Sequence, residues 1–197
     1  MERINKNSVS LAGEFAVLSQ LSLRGYDANM TLGRTKGIDI LVYSPEKKRS
    51  FQLEVKTNFK KSPNRASVSK VHGTSVDAWM MNKKHESIHI PTLFYCFVNI
   101  SRDSNYFKFY IVPSKVVARY VAEEHDLWLR EKEKEGKRVK DTDMRVFRLG
   151  LKSEKYPIAT PTAEQYQNNW NICRVAQLKW ELPDLGCNNT IHPTIAD

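Results

Sequence analysis

The sequence predicts an α/β fold with a mixed central sheet flanked by helices. The prediction rests on helix-period apolar spacing near the N-terminus, two-residue alternation in the segments that follow, and a continuous apolar run at residues 92–100. In chain order these give a helix, three strands, a helix and two strands, followed by a C-terminal helical extension. We expect one domain over residues 1–197, with its core at about 8–115, the extension at about 115–182 and a weakly ordered tail at 183–197.

Apolar spacing and a turn residue predict the first helix and the first strand. Residues 8–24 align side chains on one stripe of a helix, and Gly25 is suited to end it. Residues 26–32 follow as the first strand. The stripe of the helix comprises Leu11, Phe15, Leu18 and Ser22.

The next two segments are predicted to pair as an antiparallel hairpin. Residues 37–42 and 51–57 both alternate with a two-residue period, and residues 44–50 between them are rich in turn formers. The apolar face of the hairpin carries Ile38, Ile40, Val42, Phe51, Leu53, Val55 and Thr57, and the polar face carries Asp39, Gln52, Glu54 and Lys56.

Two carboxylates and an ammonium share that polar face. If Asp39 stands opposite Glu54, their Cβ atoms are about 5 Å apart, which is destabilising unless the negative charges are compensated. A divalent cation provides that compensation, because Mg²⁺ prefers hard oxygen ligands. Leu41 and Tyr43 lie on the same face, so we expect the carboxylates to be partly covered and to need a partner. A charged strand face can also be merely solvated, and the Glu-Val-Lys triplet alone does not separate the two interpretations.

Turn, cap and strand signals predict the second half of the core. Residues 58–73 are basic and turn-prone, and residues 74–77 resemble a capping box, which predicts a short helix directly after them. The apolar run at 92–100 and the segment 106–112 predict the last two strands.

The C-terminal part is predicted to be helical. Ser114 is suited to cap a helix over residues 115–135, and Pro161, at a first helical position, predicts one more helix that reaches at least Cys173. The apolar residues of the longer helix are Val116, Val117, Tyr120, Val121, Leu127, Trp128 and Leu129.

Asp39 followed by Glu54-Val55-Lys56 at the end of a hairpin resembles the signature of the PD-(D/E)xK nuclease superfamily, which includes restriction endonucleases and archaeal Holliday-junction resolvases. Glu14 on the first helix resembles the early acidic residue that many members carry. Ile38 stands where the family's nominal proline would be. The resemblance covers about residues 8–115, and it implies a restriction-endonuclease-like core.

The resemblance implies a Mg²⁺-dependent endonuclease that hydrolyses phosphodiester bonds in DNA, with Mn²⁺ as a substitute metal. Asp39 and Glu54 would ligate the metal, with the main-chain carbonyl of Val55 as a third ligand. Lys56 would position the attacking water or stabilise charge on the phosphate. Glu14 would complete the site through water, or would serve only to cap the helix or pair with Lys56. Cleavage of a duplex usually takes two active sites, so the resemblance also suggests a homodimer.

An excess of positive charge points to a polyanion as the partner. The chain has 31 Lys and Arg against 22 Asp and Glu, a formal net charge of +9 and a pI of about 9.4. Many of these cations bracket the acidic residues, so we expect DNA to bind through its phosphates, although an ordinary basic surface is the alternative. The residues predicted to bind nucleic acid are Arg34, Lys36, Lys60, Lys61, Arg65 and Lys70.

Two other functions are compatible with the sequence. A nuclease fold can serve as a catalytically inactive DNA-binding module, although the presence of all of Asp39, Glu54 and Lys56 speaks against it. His85-Glu86-Ser87-Ile88-His89 matches the H-E-x-x-H of zinc metalloproteases, in which a helix puts both histidines on one face. Pro91 follows at once and opposes a helix here, so we expect the match to be coincidental.

The cysteines and the N-terminus indicate a cytoplasmic protein. Cys96, Cys173 and Cys187 are odd in number and widely spaced, which favours reduced thiols. No signal sequence or long apolar span is apparent, so no association with a membrane is expected.

Overall fold

A computed structural model describes residues 4–31, 37–60, 67–103, 106–150 and 163–177 of the chain. The elements in these ranges are α1 (Lys6–Ser22), β1 (Asp27–Met30), β2 (Ile40–Ser44), β3 (Arg49–Lys60), β4 (Ser67–Ser69), β5 (Gly73–Ser75), β6 (Asp77–Asn82), a 3₁₀-helix (Lys83–Ser87), β7 (Leu93–Ser101), β8 (Phe107–Pro113), α2 (Ser114–Lys134), β9 (Met144–Leu149), α3 (Ala163–Tyr166) and α4 (Ile172–Gln177).

A mixed sheet of five strands forms the centre of the fold. Its order is β1-β2-β3-β7-β8, with β3 and β7 parallel and the other neighbouring pairs antiparallel. All nine residues of β7 are buried, as the apolar run in the sequence indicates. Helices α1 and α2 pack against the sheet. The predicted α/β class, with a mixed central sheet flanked by helices, is confirmed.

The crossover between the parallel strands β3 and β7 differs from the prediction. It contains β4, β5, β6 and the 3₁₀-helix. The prediction of a short helix directly after the capping-box residues is wrong, because β6 begins there. Strand β6 buries Asp77, Trp79 and Met81 and turns the residues between them outward, which is the two-residue period of a strand. Its partner is β9, far along the chain, so no local pattern within β6 reveals the pairing.

Helix α1 forms as predicted but buries a different face. Gly13, Val17 and Leu21 are its buried residues, whereas Leu11 and Phe15, two members of the predicted stripe, are 45% and 54% exposed. The smallest residue of the helix therefore faces the sheet.

The lack of a side chain at Gly13 lets α1 approach β3 closely. A Cβ added at this position would clash with Oγ1 of Thr57 and would lie 3.0 Å from the Thr57 Cβ. This close approach sets the height of α1 over β3 and hence the position of the next residue, Glu14.

The C-terminal part contains a strand as well as helices. Helix α2 spans nearly the predicted range, but the Ser114 hydroxyl does not cap it and donates instead to the Ile90 carbonyl at 2.7 Å. Strand β9 was not predicted, so the extension is not purely helical. The predicted last helix is split into α3 and α4, with Asn168 at a φ of 51° between them. The tail at 183–197 lies outside the described residues.

One of the three cysteines is completely buried in the sheet. It is Cys96 in β7, and burial raises the pKa of its thiol. Cys187 lies outside the described residues.

Within the described ranges, no helix combines the length and the apolar character that crossing a bilayer requires.

We expect Gly13→Ala to destabilise the protein. Alanine favours a helix by about 1 kcal/mol over glycine, but its Cβ would collide with Thr57, and overpacking of this kind costs about 1–3 kcal/mol. Urea unfolding should show a net loss of stability, and adding Thr57→Ala should recover part of it because the nearest atom is removed. Ser19→Ala, at an exposed position of the same helix, is the control. A Gly13→Ala protein as stable as the wild type would contradict the close approach.

Candidate active site

The end of the β2–β3 ladder brings the acidic residues together. Ile40 pairs with Leu53 in the last pair of the ladder, and the N–H of Asp39, one residue earlier, also donates to the Leu53 carbonyl at 2.8 Å. Asp39 therefore lies at the end of the ladder, close enough to Glu54 for the charge of Glu54 to raise its pKa. The ladder stops there. Oδ2 of Asp39 then accepts the N–H of Val55 at 2.7 Å, so a side chain takes the place of the next main-chain partner.

Glu54 is a buried carboxylate whose two oxygens have different surroundings. Oε1 lies 2.5 Å from Nζ of Lys56 and 3.3 Å from Nε2 of His85, whereas Oε2 has no hydrogen-bond partner among the residues that the structure describes. Burial acts to raise the pKa of Glu54, but the His85 hydrogen bond and Lys56 outweigh it and lower the pKa to about 2. Glu54 is therefore ionised at neutral pH.

The pKa values of Asp39 and Glu14 are shifted in the opposite direction to that of Glu54. Burial raises the pKa of Asp39, with a smaller contribution from Glu54, although its main-chain hydrogen bond and Lys56 oppose the rise. Burial and the charge of Asp39 also raise the pKa of Glu14, which accepts a hydrogen bond from Ser10 at 3.2 Å. Three carboxylates around the ammonium of Lys56 leave the site negative when all are ionised, and a negative site favours a cation.

The donor set suits a hard divalent cation. Oε2 of Glu54 is buried without a partner among the described residues, and a buried carboxylate oxygen needs one. The N–H and C=O of a strand residue point to the same side, so the Val55 carbonyl faces the same edge of β3 as Asp39. Within the described ranges, no three His, Cys, Asp or Glu side chains come close enough to hold a metal by themselves. Two carboxylates, one carbonyl and water remain, and Mg²⁺ accepts such a set because it keeps several of its own waters.

His85 and Tyr95 complete the surroundings of Glu54, a role that no pattern in the sequence indicates for either residue. Tyr95 stands beside Glu54 in the parallel register of β3 and β7. Burial, the charge of Glu54 and the approach of its carboxylate to the Tyr95 hydroxyl raise the pKa of that hydroxyl, although the two groups stop short of a hydrogen bond by geometric criteria. The H-E-x-x-H match drew attention to His85, but as a zinc ligand and not as a partner of Glu54. Tyr95 lies within a continuous apolar run, where nothing in the sequence sets it apart from its neighbours.

The H-E-x-x-H segment does not form a zinc site. The 3₁₀-helix ends at Ser87, before the second histidine, and His89 is exposed. Glu86 forms an ion pair with Arg145, and His85 turns to Glu54. The segment therefore lacks the helix and the paired histidines that a zinc metalloprotease requires.

Two of the predicted DNA-binding residues lie in the described ranges. Lys60, at the end of β3, forms an ion pair with the buried Asp77, and Lys70 is exposed in the turn between β4 and β5. The other four lie outside the described residues: Arg34, Lys36, Lys61 and Arg65.

An open groove of about 520 Å³ runs beside Lys56. Its lining includes Lys6 in the first turn of α1 and Arg102, whose guanidinium lies 4.8 Å from the ring centroid of Phe59. None of the described residues that line it is a carboxylate. The groove therefore places positive charge next to the acidic site.

Comparison with known proteins gives no family for this chain. No protein-family model matches it, and no curated protein matches it. Among solved structures, the chain is similar to a bacterial homing endonuclease, I-Ssp6803I, at 10% sequence identity and a TM-score of 0.44, over 86% of this chain and 93% of the other. A likeness this low assigns no function, so the function has to be inferred from the site.

We expect the substitution Glu54→Gln to lower the free energy of unfolding, and to lower it more at neutral pH than in acid. Folding lowers the pKa of Glu54 to about 2, so this carboxylate stabilises the wild type above its unfolded-state pKa of about 4.3, and the gain is lost as the pH falls toward 2. The pH-dependent part is on the order of 3 kcal/mol. Urea unfolding curves of variant and wild type should therefore differ most above about pH 5 and converge in acid.

The control for this experiment is Glu46→Gln, at an exposed carboxylate in the turn between β2 and β3. This variant should keep the pH dependence of the wild type. A difference between Glu54→Gln and the wild type that stays constant with pH would show that the carboxylate is not stabilised by folding.

Proposed function

We propose that this chain is a Mg²⁺-dependent endonuclease of the PD-(D/E)xK type that hydrolyses phosphodiester bonds in DNA. The observation that carries the proposal is the meeting of Asp39, Glu54 and Lys56 at the end of one hairpin, where Oε2 of Glu54 is buried without a partner among the described residues. The positive charge around this acidic centre supports the same function, because cations bind the DNA backbone while carboxylates collect a metal.

Asp39, Glu54 and the carbonyl of Val55 would hold the metal, Mg²⁺ or Mn²⁺ in its place. When bound, the metal supplies a water of lowered pKa and neutralises charge on the phosphate. The Val55 N–H fixes the orientation of the Asp39 carboxylate, and Glu54 is already ionised. Both proposed ligands are therefore set in place by the protein itself.

Lys56 is suited to stabilise negative charge on the phosphate. Its Nζ lies 2.5 Å from Oε1 of Glu54, and 29% of its side chain is exposed at the groove. A charged donor held where negative charge develops lowers the barrier to reaction. Glu14 is only part-buried and is bonded to Ser10, so we assign it to a water of the metal site and not to the metal directly.

The groove beside Lys56 is the proposed path of the DNA backbone. Lys6 and Arg102 would contact phosphates there, and the exposed Lys70 would add to the basic surface. Lys60 would contribute less than its charge indicates, because its ion pair with Asp77 offsets that charge.

A catalytically inactive DNA-binding module is the second candidate function. The ion pair between Lys56 and Glu54 favours it, because this contact compensates one carboxylate without a metal. Calorimetric titration with Mn²⁺ separates the two candidates. If the chain is a nuclease, the wild type binds Mn²⁺ and the Asp39→Asn variant does not. If it is an inactive module, neither protein binds Mn²⁺. The homodimer and the cytoplasmic location stay predictions.

We expect Asp39→Asn and Lys56→Ala to reduce Mg²⁺-dependent nicking of supercoiled DNA by about 100-fold or more, with DNA binding largely retained. Asparagine keeps an oxygen for the Val55 N–H, so thermal unfolding should show an intact fold. Lys47→Ala, at an exposed lysine of the β2–β3 turn, is the matched control and should cleave normally. Normal cleavage by either site variant would refute the assignment.

We expect Arg102→Ala to weaken binding to duplex DNA regardless of sequence. Loss of one phosphate contact should reduce the slope of log Kd against log salt by about 1. Fluorescence anisotropy without divalent metal measures this slope. Arg130→Ala, an exposed arginine on α2, is the control and should leave the slope unchanged. Identical slopes for Arg102→Ala and the wild type would exclude the groove as the path of the backbone.

A further inference from the structure

His85 donates a hydrogen bond to one oxygen of the Glu54 carboxylate. The histidine is only 2% exposed, and its Nε2 lies 3.3 Å from Oε1 of Glu54. The other ring nitrogen, Nδ1, lies 3.0 Å from the nitrogen and 2.8 Å from the carbonyl oxygen of Asn82. An ionised carboxylate can only accept, so Nε2 carries a proton and donates to Glu54 whether the ring is neutral or charged.

The surroundings of Glu54 fix which of its oxygens stays open. Oε1 receives His85 and Lys56, while Oε2 has no hydrogen-bond partner among the described residues. Oε2 lies 3.4 Å from the point where a Cβ on Gly37 would stand. Gly37 precedes Asp39 by two residues, so the open oxygen faces the turn that delivers the other carboxylate.

We propose that His85 is a positioning residue for the metal site, an inference that rests on the nuclease function proposed above. By donating to Oε1, His85 keeps the Glu54 carboxylate turned so that Oε2 is presented to a cation shared with Asp39. Lys56 is less suited to this task, because it is a flexible point charge that also has to meet the phosphate. The imidazole is rigid and buried, and residues that orient metal-binding carboxylates have this character.

Arg145 fixes His85 from the C-terminal part of the chain. Its guanidinium is 2% exposed and forms an ion pair with Glu86, the neighbour of His85. The same guanidinium donates to the main-chain carbonyls of Thr142 and Met144 at 2.6 and 3.0 Å. Strand β9 and the loop before it thereby hold the 3₁₀-helix, which gives the C-terminal part a role in the geometry of the site.

The experiment is calorimetric titration of the full chain with Mn²⁺, with His85→Leu and His85→Gln compared. Leucine fills the space without a donor, whereas the glutamine amide offers an N–H in place of Nε2 and an oxygen in place of Nδ1. We expect His85→Leu to raise the Kd for Mn²⁺ about 10–100-fold. The Kd of His85→Gln should lie close to that of the wild type. Nicking assays should show a lower kcat with an unchanged KM for DNA.

His72→Leu is the matched control. His72 is also a buried histidine facing a carboxylate, with Nε2 at 3.0 Å from Glu124, but it has no contact with Glu54. This variant should lower the thermal stability and leave the Kd for Mn²⁺ unchanged. An equal loss of Mn²⁺ affinity in His72→Leu and His85→Leu would mean that both act only through stability, and would overturn the positioning role.

Two further outcomes separate this inference from the proposed function. If the wild type binds Mn²⁺ and His85→Leu binds it with the same affinity, the positioning role of His85 is overturned, whereas the proposed nuclease function is not. If the wild type neither binds Mn²⁺ nor cleaves DNA, both the role of His85 and the proposed nuclease function are overturned. If His85→Leu does not fold, His85→Asn takes its place, because asparagine is too short to reach Asn82 and Glu54 together. It should lose the affinity that glutamine keeps, and equal affinities would overturn the role.

Discussion

The main-chain N–H of Val55 donates to the Asp39 carboxylate where the β2–β3 ladder ends, and the candidate site is arranged around this bond. Val55 is buried, and a buried N–H left without a partner costs about 1–3 kcal/mol. The side chain that satisfies it is thereby fixed beside Glu54. One hydrogen bond thus completes the pairing of β3 at this point and orients a proposed metal ligand.

Burial acts to raise the pKa of all three carboxylates, but only at Glu54 do the neighbouring groups outweigh it. Glu54 has Lys56 and His85 on one oxygen, and its pKa falls to about 2, whereas the pKa values of Asp39 and Glu14 are raised. The ionised forms of Asp39 and Glu14 therefore destabilise the folded state. Such destabilisation is typical of functional sites, where the geometry that serves a ligand is kept at the expense of stability.

The sequence predicted those features that depend on neighbouring residues. Two-residue alternation and a turn identified the hairpin, and with it the meeting of Asp39 and Glu54, because the face of each strand residue is set locally. The buried face of α1 was not predictable from hydrophobicity, since packing against β3 selected Gly13. The pairing of β6 with β9 and the contact of His85 with Glu54 join segments far apart in the chain. Their residues are adjacent only once the fold has formed.

Strand β9 has a consequence for the order in which the molecule is completed during its synthesis. The residues from Asp39 to Lys56 leave the ribosome well before Arg145, which belongs to the strand that pairs with β6. At translation rates of about 5–20 residues per second, roughly 5–20 s separate the two events. A nascent chain therefore carries the whole motif before it can assemble the centre, which is completed only after Arg145 has emerged.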